Sequence, residues 1–219
     1  MENVLRSKQD NINKSLYITV DGGDFCGKTT LINNIQNELV ERGVEKDIVY
    51  IKEPFLNDFI EPYIEKLKNN RANETTALEV AMAMTVSRLK YTQPLLHKYM
   101  SEDKIIIQDR SWISTLIYQG ITDELQNIIL SINTSVIKPD IAFVMWVSHD
   151  SIIKRMSLDP DRRIDEIDSD LTFQKQINSR ILNLHYSVGG FTFIPSDTFE
   201  SDLDIAIKKI EYLRSDLLK

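Results

Sequence analysis

Cysteine is nearly absent from this chain of 219 residues, which contains only Cys26. A lone cysteine cannot form an internal disulfide bond, so a reducing compartment is expected. Long apolar runs are also lacking. No segment approaches the roughly 18 unbroken apolar residues of a membrane-spanning helix, and the first residues do not resemble a signal peptide. We therefore expect a cytoplasmic protein that does not enter a membrane.

An excess of positive charge is missing as well. The chain carries 26 Lys and Arg against 33 Asp and Glu, a net charge of −7. An acidic protein binds nucleic acid and anionic membranes poorly, which favours small-molecule partners and argues against nucleic acid. An anionic ligand would therefore need a local cluster of Lys and Arg. With 42% hydrophobic and 27% charged residues, the chain is long enough for one α/β domain with a core.

Glycine is scarce, with seven residues, yet two glycines belong to the most informative motif, G-x-x-x-x-G-K-[ST] at residues 22–29. An apolar run over 16–20 predicts a buried strand before the motif, and apolar residues at helical spacing follow it. Backbone N–H groups of such a loop surround phosphate oxygens, and the next helix directs its positive end at them. Lys28 can reach the β- and γ-phosphates, and the Thr29 hydroxyl can bind Mg²⁺. This setting favours a phosphate loop over a chance turn. We interpret Cys26 as a small loop residue rather than a nucleophile.

The rest of the chain alternates strands and helices, which predicts a parallel sheet with right-handed crossovers. Residues 1–14 are expected to be a flexible lead-in and residues 15–219 to form a single domain. Strands are predicted at 15–21, 47–54, 104–109, 140–147 and 191–195. One helix is predicted from the end of the motif to about residue 42, and another begins after Ser148. The other helices are predicted at 56–69, 75–100, 112–119, 123–131, 170–188 and 201–218. The helix over 75–100 is apolar nearly all round, so we expect it to be buried.

Charged residues follow two of the predicted strands, where open α/β sheets bind ligands. Lys52 and Glu53 end the second strand, and Asp109 and Arg110 end the third. Asp109 could lie near Mg²⁺ and its waters, whereas a mutual salt bridge of Asp109 with Arg110 would only hold the turn. Alternatively, Glu53 is a solvated charge at the end of the strand. Arg88 interrupts an apolar helix and needs an anionic partner, either a structural carboxylate or a bound phosphate or base.

The stretch 159–166 is densely charged and has little to bury, which is typical of an exposed loop. Arg162 and Arg163 in this loop, with Arg155 before it, could close over a nucleotide. Alternatively, the aspartates of the same loop neutralise these arginines on an ordinary solvated surface.

Five patches, taken in order over about residues 15–215, resemble the thymidylate kinases, a family of P-loop nucleoside monophosphate kinases. The patches are residues 21–30, Lys52-Glu53-Pro54, Ser87-Arg88, the run 109–120 and Asp161-Arg162-Arg163-Ile164-Asp165. The resemblance implies the P-loop NTPase three-layer fold, a five-stranded parallel sheet flanked by helices, with a short Arg-containing lid at about 157–168. It implies phosphorylation of dTMP to dTDP with ATP as the phosphate donor and Mg²⁺ as cofactor. The family is commonly a homodimer, and the apolar helices between residues 56 and 133 would form its interface.

The resemblance also assigns roles by position. The implied catalytic residues are Lys28, Asp109, Arg110, Arg162 and Arg163. The implied ATP-binding residues are Gly22, Gly23, Asp24, Phe25, Cys26, Gly27, Lys28, Thr29, Thr30 and Arg155. The implied acceptor-binding residues are Asp24, Glu53, Pro54, Met84, Arg88, Arg110, Thr115, Tyr118 and Gln119, of which Tyr118 would crowd the sugar 2′ position. The implied Mg²⁺ ligands, direct or through water, are Thr29, Asp24 and Asp109.

The chain departs from the family pattern at Phe25, Lys52, Met84, Ser111, Trp146 and Ile181. Met84 stands where the family usually has an aromatic ring that stacks on the pyrimidine, and a thioether packs there less specifically. Lys52 replaces an arginine and loses its two-pronged phosphate geometry. A modified or different deoxynucleotide, or a deoxynucleoside, is therefore an alternative acceptor. An ATPase or switch that acts through a protein partner is the alternative from another functional class.

Overall fold

The computed structural model describes residues 15–44, 46–55, 57–70, 72–158, 170–197 and 199–217. The predicted lead-in, residues 1–14, lies outside these ranges. Within them the strands are β1 (Leu16–Gly22), β2 (Ile48–Lys52), β3 (Ile105–Asp109), β4 (Ile141–Trp146) and β5 (Thr192–Pro195). The α-helices are α1 (Lys28–Glu41), α2 (Glu61–Asn69), α3 (Glu74–Ser87), α4 (Gln93–Ser101), α5 (Trp112–Gln119), α6 (Asp123–Ile132), α7 (His149–Leu158), α8 (Leu171–Ser187) and α9 (Phe199–Leu213).

The five strands form one parallel sheet in the order β2-β3-β1-β4-β5. Alternate residues of β1 point to opposite faces. Ile18 and Val20 pack in one core with α1, α7 and α9, whereas Tyr17 packs on the other side with α4. Ala142 and Val144 of β4 face α3, α5, α6 and α8. Helices therefore cover both faces of the sheet, which confirms the predicted three-layer fold.

The strand order determines where the site lies. From the central β1 the chain goes to β2 at one edge, returns to β3, and then crosses to β4 on the other side of β1. This reversal opens a crevice at the carboxyl ends of β1 and β3, where ligands bind in open α/β sheets. In the register of these two strands Val20 lies opposite Asp109. The phosphate loop after β1 and the carboxylate at the end of β3 are therefore neighbours.

Three helix predictions were wrong in detail, and the last helix, predicted over 201–218, ends at Leu213. The helix predicted from residue 56 begins at Glu61, because the Asn57 side chain accepts hydrogen bonds from the backbone N–H groups of Phe59 and Ile60 and holds a turn there. The helix predicted over 75–100 is α3 followed by a π-helical turn, Arg88–Thr92, and then α4. Among the described helices, none has the combined length and apolar character to cross a bilayer.

The expected burial of the helix over 75–100 was also wrong. Met82, Val86 and Leu89 are 51%, 48% and 37% exposed. The three residues are spaced four and three positions apart, so they form one apolar stripe on the solvent side of α3 and of the π-helical turn that follows it. Away from this stripe, Ala81 belongs to the core cluster, and Ala77 and Val80 are buried. Because this segment is apolar on all sides, its sequence did not show which side packs against the rest of the chain.

Candidate active site

The phosphate loop connects β1 to α1 through an unusual backbone. Gly22 has φ of +151°, and a Cβ at this position would lie 2.6 Å from the Met145 carbonyl oxygen. Gly27 has φ of +96°. Phe25 also adopts a left-handed conformation, with φ of +60°, which is uncommon for a residue other than glycine. Gly27 provides no side-chain cap for α1, so the first N–H groups of this helix are suited to bind an anion.

Lys28 folds back across this loop. Its Nζ donates hydrogen bonds to the Gly23 carbonyl at 2.6 Å and the Gly22 carbonyl at 3.2 Å, and lies 4.0 Å from Asp24 Oδ1. Thr29 is exposed beside it. The ammonium group thus lies inside the loop that would surround the phosphates, and it is held there by weak neutral acceptors that a phosphate can replace.

Asp24 gathers several side chains around it. Its Oδ1 accepts a hydrogen bond from Arg110 Nη2 at 2.5 Å, and its Oδ2 accepts bonds from the Tyr118 hydroxyl at 2.8 Å and Gln174 Nε2 at 3.4 Å. Burial alone would raise the pKa of Asp24. The charges of Arg110 and Lys28, with the bonds from Tyr118 and Gln174, outweigh burial and hold that pKa well below its usual range. Asp24 is therefore ionised near neutral pH.

Arg110 pairs with Asp24, and not with Asp109 as one alternative had it. Its guanidinium lies 5.1 Å from the centre of the Tyr118 ring, in cation–π contact. Three residues predicted for the site from separate parts of the chain therefore meet next to the phosphate loop.

Asp109 has one oxygen in use and one unused. Its Oδ2 accepts a hydrogen bond from the Tyr50 hydroxyl at 3.2 Å and lies 3.6 Å from Lys52 Nζ. Its Oδ1 is buried without a hydrogen-bond partner among the described residues. Burial and the Asp109 charge raise the pKa of Tyr50 to about 12, so its phenol remains a donor near neutral pH.

The free carboxylate oxygen of Asp109 fits a magnesium site. Mg²⁺ is usually bound by one or two carboxylates together with substrate phosphates and water, and Asp109, Asp24 and Thr29 supply such donors. No cluster of three or more His, Cys, Asp or Glu side chains able to hold a metal exists in the described part of the chain. This donor set therefore suits a metal that arrives with a phosphate ligand rather than a closed protein site.

These residues line an open pocket of about 130 Å³. The lining consists of Asp24, Phe25, Gly27, Lys28, Thr29, Thr30, Lys52, Asp109 and Arg110. Five of these side chains are charged, namely Asp24, Lys28, Lys52, Asp109 and Arg110, and they come from the carboxyl ends of three neighbouring strands.

Arg88 belongs to a second, buried cluster. Its Nε and Nη2 lie 2.9 and 2.8 Å from Glu53 Oε2, and Nη1 donates to Asn133 Oδ1 at 2.8 Å. Nη2 also donates to the Thr115 hydroxyl at 3.3 Å, and Thr92 donates to Glu53 Oε1 at 2.6 Å. A structural carboxylate is therefore one partner of Arg88, and the alternative of Glu53 as a solvated charge was wrong, since Glu53 is only 5% exposed.

The remaining predicted site residues lie around these two clusters. Met84 is half-buried on α3, and its carbonyl accepts the backbone N–H of Arg88. Pro54 follows a cis peptide bond after Glu53. Gln119 is buried in the last turn of α5, the helix that carries Thr115 and Tyr118.

Arg155 and Cys26 both support the phosphate loop from within the protein. The Arg155 guanidinium donates to the Phe25 carbonyl at 2.8 Å and the Ser196 carbonyl at 2.5 Å. Cys26 is fully buried, and burial raises the pKa of its thiol, as expected for a small loop residue.

Of the predicted lid, residues 157 and 158 belong to α7. Arg162 and Arg163 lie outside the described residues.

Sequence reasoning missed several contact residues. Tyr50 precedes Lys52 by two positions on the same side of β2, a period that could have indicated it. No local signal marks Gln174, Asn133 or Arg180. Arg180 donates from Nη1 to the Ile117 and Tyr118 carbonyls at 3.2 and 3.0 Å, so it caps the last turn of α5 from α8.

The three-layer fold, the phosphate loop and the Asp109–Arg110 strand end define a P-loop enzyme of the nucleoside monophosphate kinase class. Residues 20–196 match the family model described as thymidylate kinase. The chain is 29% identical over 189 residues to the thymidylate kinase of Malacoplasma penetrans, which covers 84% of each protein. It is 30% identical over 173 residues to that of Shouchella clausii, covering 75% of this chain and 78% of the relative. This chain therefore belongs to the thymidylate kinase family.

Proposed function

We propose that the chain transfers the γ-phosphoryl group of ATP to dTMP, giving ADP and dTDP, in the biosynthesis of nucleotides. The observation that carries this proposal is the Arg110–Asp24 pair beside the phosphate loop. It provides a guanidinium for a second phosphate, distinct from the lysine that serves ATP. The cationic side chains concentrated in this pocket also explain how a chain with a net charge of −7 binds anionic substrates.

On the ATP side, Lys28 and the first N–H groups of α1 bind the phosphates. Thr29, Asp24 and Asp109 hold Mg²⁺, directly or through water. When bound with ATP, Mg²⁺ neutralises charge on the β- and γ-phosphates. Arg155 keeps the phosphate loop in shape through the Phe25 carbonyl. By the resemblance of residues 161–165 to the family, we also assign Arg162 and Arg163 to the stabilisation of the transferred group.

On the acceptor side, Arg110 exchanges Asp24 for the phosphate of dTMP. Tyr118 borders the sugar and favours deoxyribose, while Arg88 and Thr115 lie by the base together with Met84. No covalent intermediate is required, because phosphoryl transfer depends on positioning and on stabilising charge. Glu53 acts by holding Arg88 in place.

Replacing Arg110 by methionine tests this assignment. We expect kcat/KM for dTMP to fall about 10²- to 10³-fold, since one preorganised donor to a reacting phosphate is lost. The dissociation constant for ATP should stay unchanged. Arg110→Lys should recover part of the loss, because it keeps the charge without the planar fork. Arg42→Met is the control, since its guanidinium pairs with Glu38 and Glu211 at the surface.

The same assay run with thymidine separates the acceptor classes. A nucleoside acceptor has no phosphate for Arg110 to bind. If wild type phosphorylates both thymidine and dTMP, and Arg110→Met leaves both rates unchanged, then Arg110 does not bind the acceptor phosphate.

The proposal includes a cytoplasmic homodimer. Its support is the apolar stripe of Met82, Val86 and Leu89, which runs from α3 into the π-helical turn, since contiguous exposed apolar side chains mark association surfaces. A two-fold interface would place this stripe against its own copy and remove it from water.

A charge on the stripe should separate the subunits. We expect Val86→Arg to sediment as a monomer and wild type as a dimer, because facing arginines would be buried without partners. Val40→Arg is the matched control, since Val40 is an apolar residue with 66% exposure that lies on α1, outside the stripe. A Val86→Arg protein that sediments as wild type would show that the stripe is not the interface.

A further inference from the structure

Asp21, the residue before the first motif glycine, is a fully buried carboxylate with 0% exposure. It lies at the end of β1 and receives four hydrogen bonds from the start of α5. Its Oδ1 accepts from the backbone N–H of Ser111 at 2.7 Å and of Ser114 at 3.0 Å, and from the Ser114 hydroxyl at 2.6 Å. Its Oδ2 accepts from the Ser111 hydroxyl at 2.7 Å.

These bonds make Asp21 a cap for α5 supplied from another part of the chain. Ser111 is the N-cap of this helix, and its Oγ also accepts the N–H of Ile113. A negative charge is favourable at this helix end, which carries partial positive charge. The occupied oxygens of Asp21 leave it little capacity to act on a substrate. Its effect must therefore pass through the elements it holds.

Two residues connect β3 to α5, Arg110 and the N-cap Ser111, and the Arg110 backbone is strained. Its φ is +69°, in the left-handed region that non-glycine residues rarely adopt. Such a conformation persists only where the surroundings enforce it. The Arg110 N–H donates to the Val20 carbonyl at 3.0 Å, and its carbonyl accepts from Gln108 Nε2 at 2.7 Å. Asp21 holds the next N–H, that of Ser111, so the turn is fixed on both sides.

We infer that Asp21 is a positioning residue for the acceptor side of the site. It holds the left-handed turn that directs the Arg110 guanidinium to Asp24, and it fixes the start of the helix that carries Thr115 and Tyr118. This inference rests on the proposed function, in which Arg110 binds the acceptor phosphate. Loss of Asp21 should therefore impair the use of dTMP without weakening the binding of ATP.

The test compares three substitutions in the full chain. We expect Asp21→Ala to lower kcat/KM for dTMP about 10²-fold, because a small displacement of a positioned group has an effect of this size. The dissociation constant for ATP should not change. Asp21→Asn should recover most of the activity, since an amide oxygen can take the place of Oδ1 and the Ser111 hydroxyl can turn to accept from the amide. Ser114→Ala should lose about tenfold, the effect of one bond to a charged group.

Thr19→Val is the matched control. Thr19 lies two residues earlier in β1, is also fully buried, and its hydroxyl has no hydrogen-bond partner within the described residues. A general disturbance of β1 would impair this variant as well. We expect its kinetics to match wild type.

Amide hydrogen exchange of residues 109–115 gives a readout that needs no acceptor. We expect faster exchange there in Asp21→Ala and Ser114→Ala and unchanged exchange in Thr19→Val. If wild type does not use dTMP, the proposed function fails while exchange still tests the role of Asp21 in holding the turn. The inference is overturned if Asp21→Ala keeps the wild-type kcat/KM for dTMP, calculated per mole of protein that binds ATP. It is also overturned if the affinity for ATP falls by the same factor as kcat/KM. Should Asp21→Ala not fold, unchanged acceptor kinetics and exchange in Ser114→Ala would overturn it.

Discussion

Replacing Lys28 by methionine is expected to lower kcat for phosphoryl transfer about 10³-fold, the upper range for removing one preorganised donor from a transition state. Lys28 is the cation inside the phosphate loop, with its Nζ held by the Gly22 and Gly23 carbonyls. Charge on the transferred group spreads over its oxygens during the reaction, so a fixed ammonium stabilises this state more than the ground state. Methionine keeps most of the length and apolar stem of the side chain. The measurement is initial-rate kinetics with saturating ATP, Mg²⁺ and dTMP.

Lys46→Met is the control for Lys28→Met. Lys46 pairs with Asp103 at 2.6 Å before the start of β2, and the pocket lies at the opposite, carboxyl end of this parallel sheet. The control should keep wild-type kcat. If Lys28→Met also kept wild-type kcat, the loop would not be the phosphate-binding site of a transferase.

The second large effect is expected on stability. Replacing Arg88 by methionine should lower the free energy of unfolding by about 3–5 kcal/mol, because it leaves the buried Glu53 carboxylate without its cation. The Arg88 and Glu53 side chains are only 4% and 7% exposed, and Nη2 lies 2.8 Å from Oε2. Urea denaturation followed by tryptophan fluorescence measures the change.

The double variant Arg88→Met/Glu53→Gln is the matched control for this prediction. With both charges removed, no buried ion remains, and much of the lost stability should return. An Arg88→Met protein as stable as wild type, changed only in KM for dTMP, would show that Arg88 serves the substrate and does not stabilise the fold.

The sequence predicted the fold because its signals are local. The strands appear as short apolar runs, and Gly22, Gly27 and Lys28 are close enough in the chain to be recognised as one loop. The reversal of strand order then requires Asp109 and Arg110 to come near that loop. The strands, the phosphate loop and the parallel sheet needed only periodicity, glycine positions and the alternation of strands with helices. The three-layer fold was implied by the resemblance to the family, and the strand order came from the structure.

Contacts between distant residues could not be predicted in the same way. Asp21 and Ser111 are 90 residues apart, and Gln174 is 150 residues from Asp24. Nothing in the local pattern shows that Arg110 pairs with Asp24, while Asp109 pairs with Lys52 and keeps Oδ1 without a hydrogen-bond partner among the described residues. The wrong burial of α3 has the same origin, since the apolar stripe of Met82, Val86 and Leu89 has no covering element among the described residues of the chain.

The departures from the family pattern have different structural consequences. Lys52 still reaches Asp109 at the pocket, where an arginine is usual. Ser111 provides two of the hydrogen bonds to Asp21. Ile181 is fully buried against α5. Met84 remains the substitution that bears on the identity of the base, and only an acceptor assay decides its effect.

The most direct measurement of the central claim is coupled ADP release with ATP, Mg²⁺ and a panel of acceptors. The panel contains dTMP, dUMP, 5-substituted dUMP analogues, dCMP, dGMP, the ribose analogue of dTMP, and thymidine. The proposed function predicts strong release with dTMP, formation of dTDP, and weak release with the ribose analogue and thymidine. Release with another acceptor and little with dTMP would contradict the assigned substrate. Silence across the panel by a protein that still binds ATP would contradict its assignment as a kinase of small nucleotides.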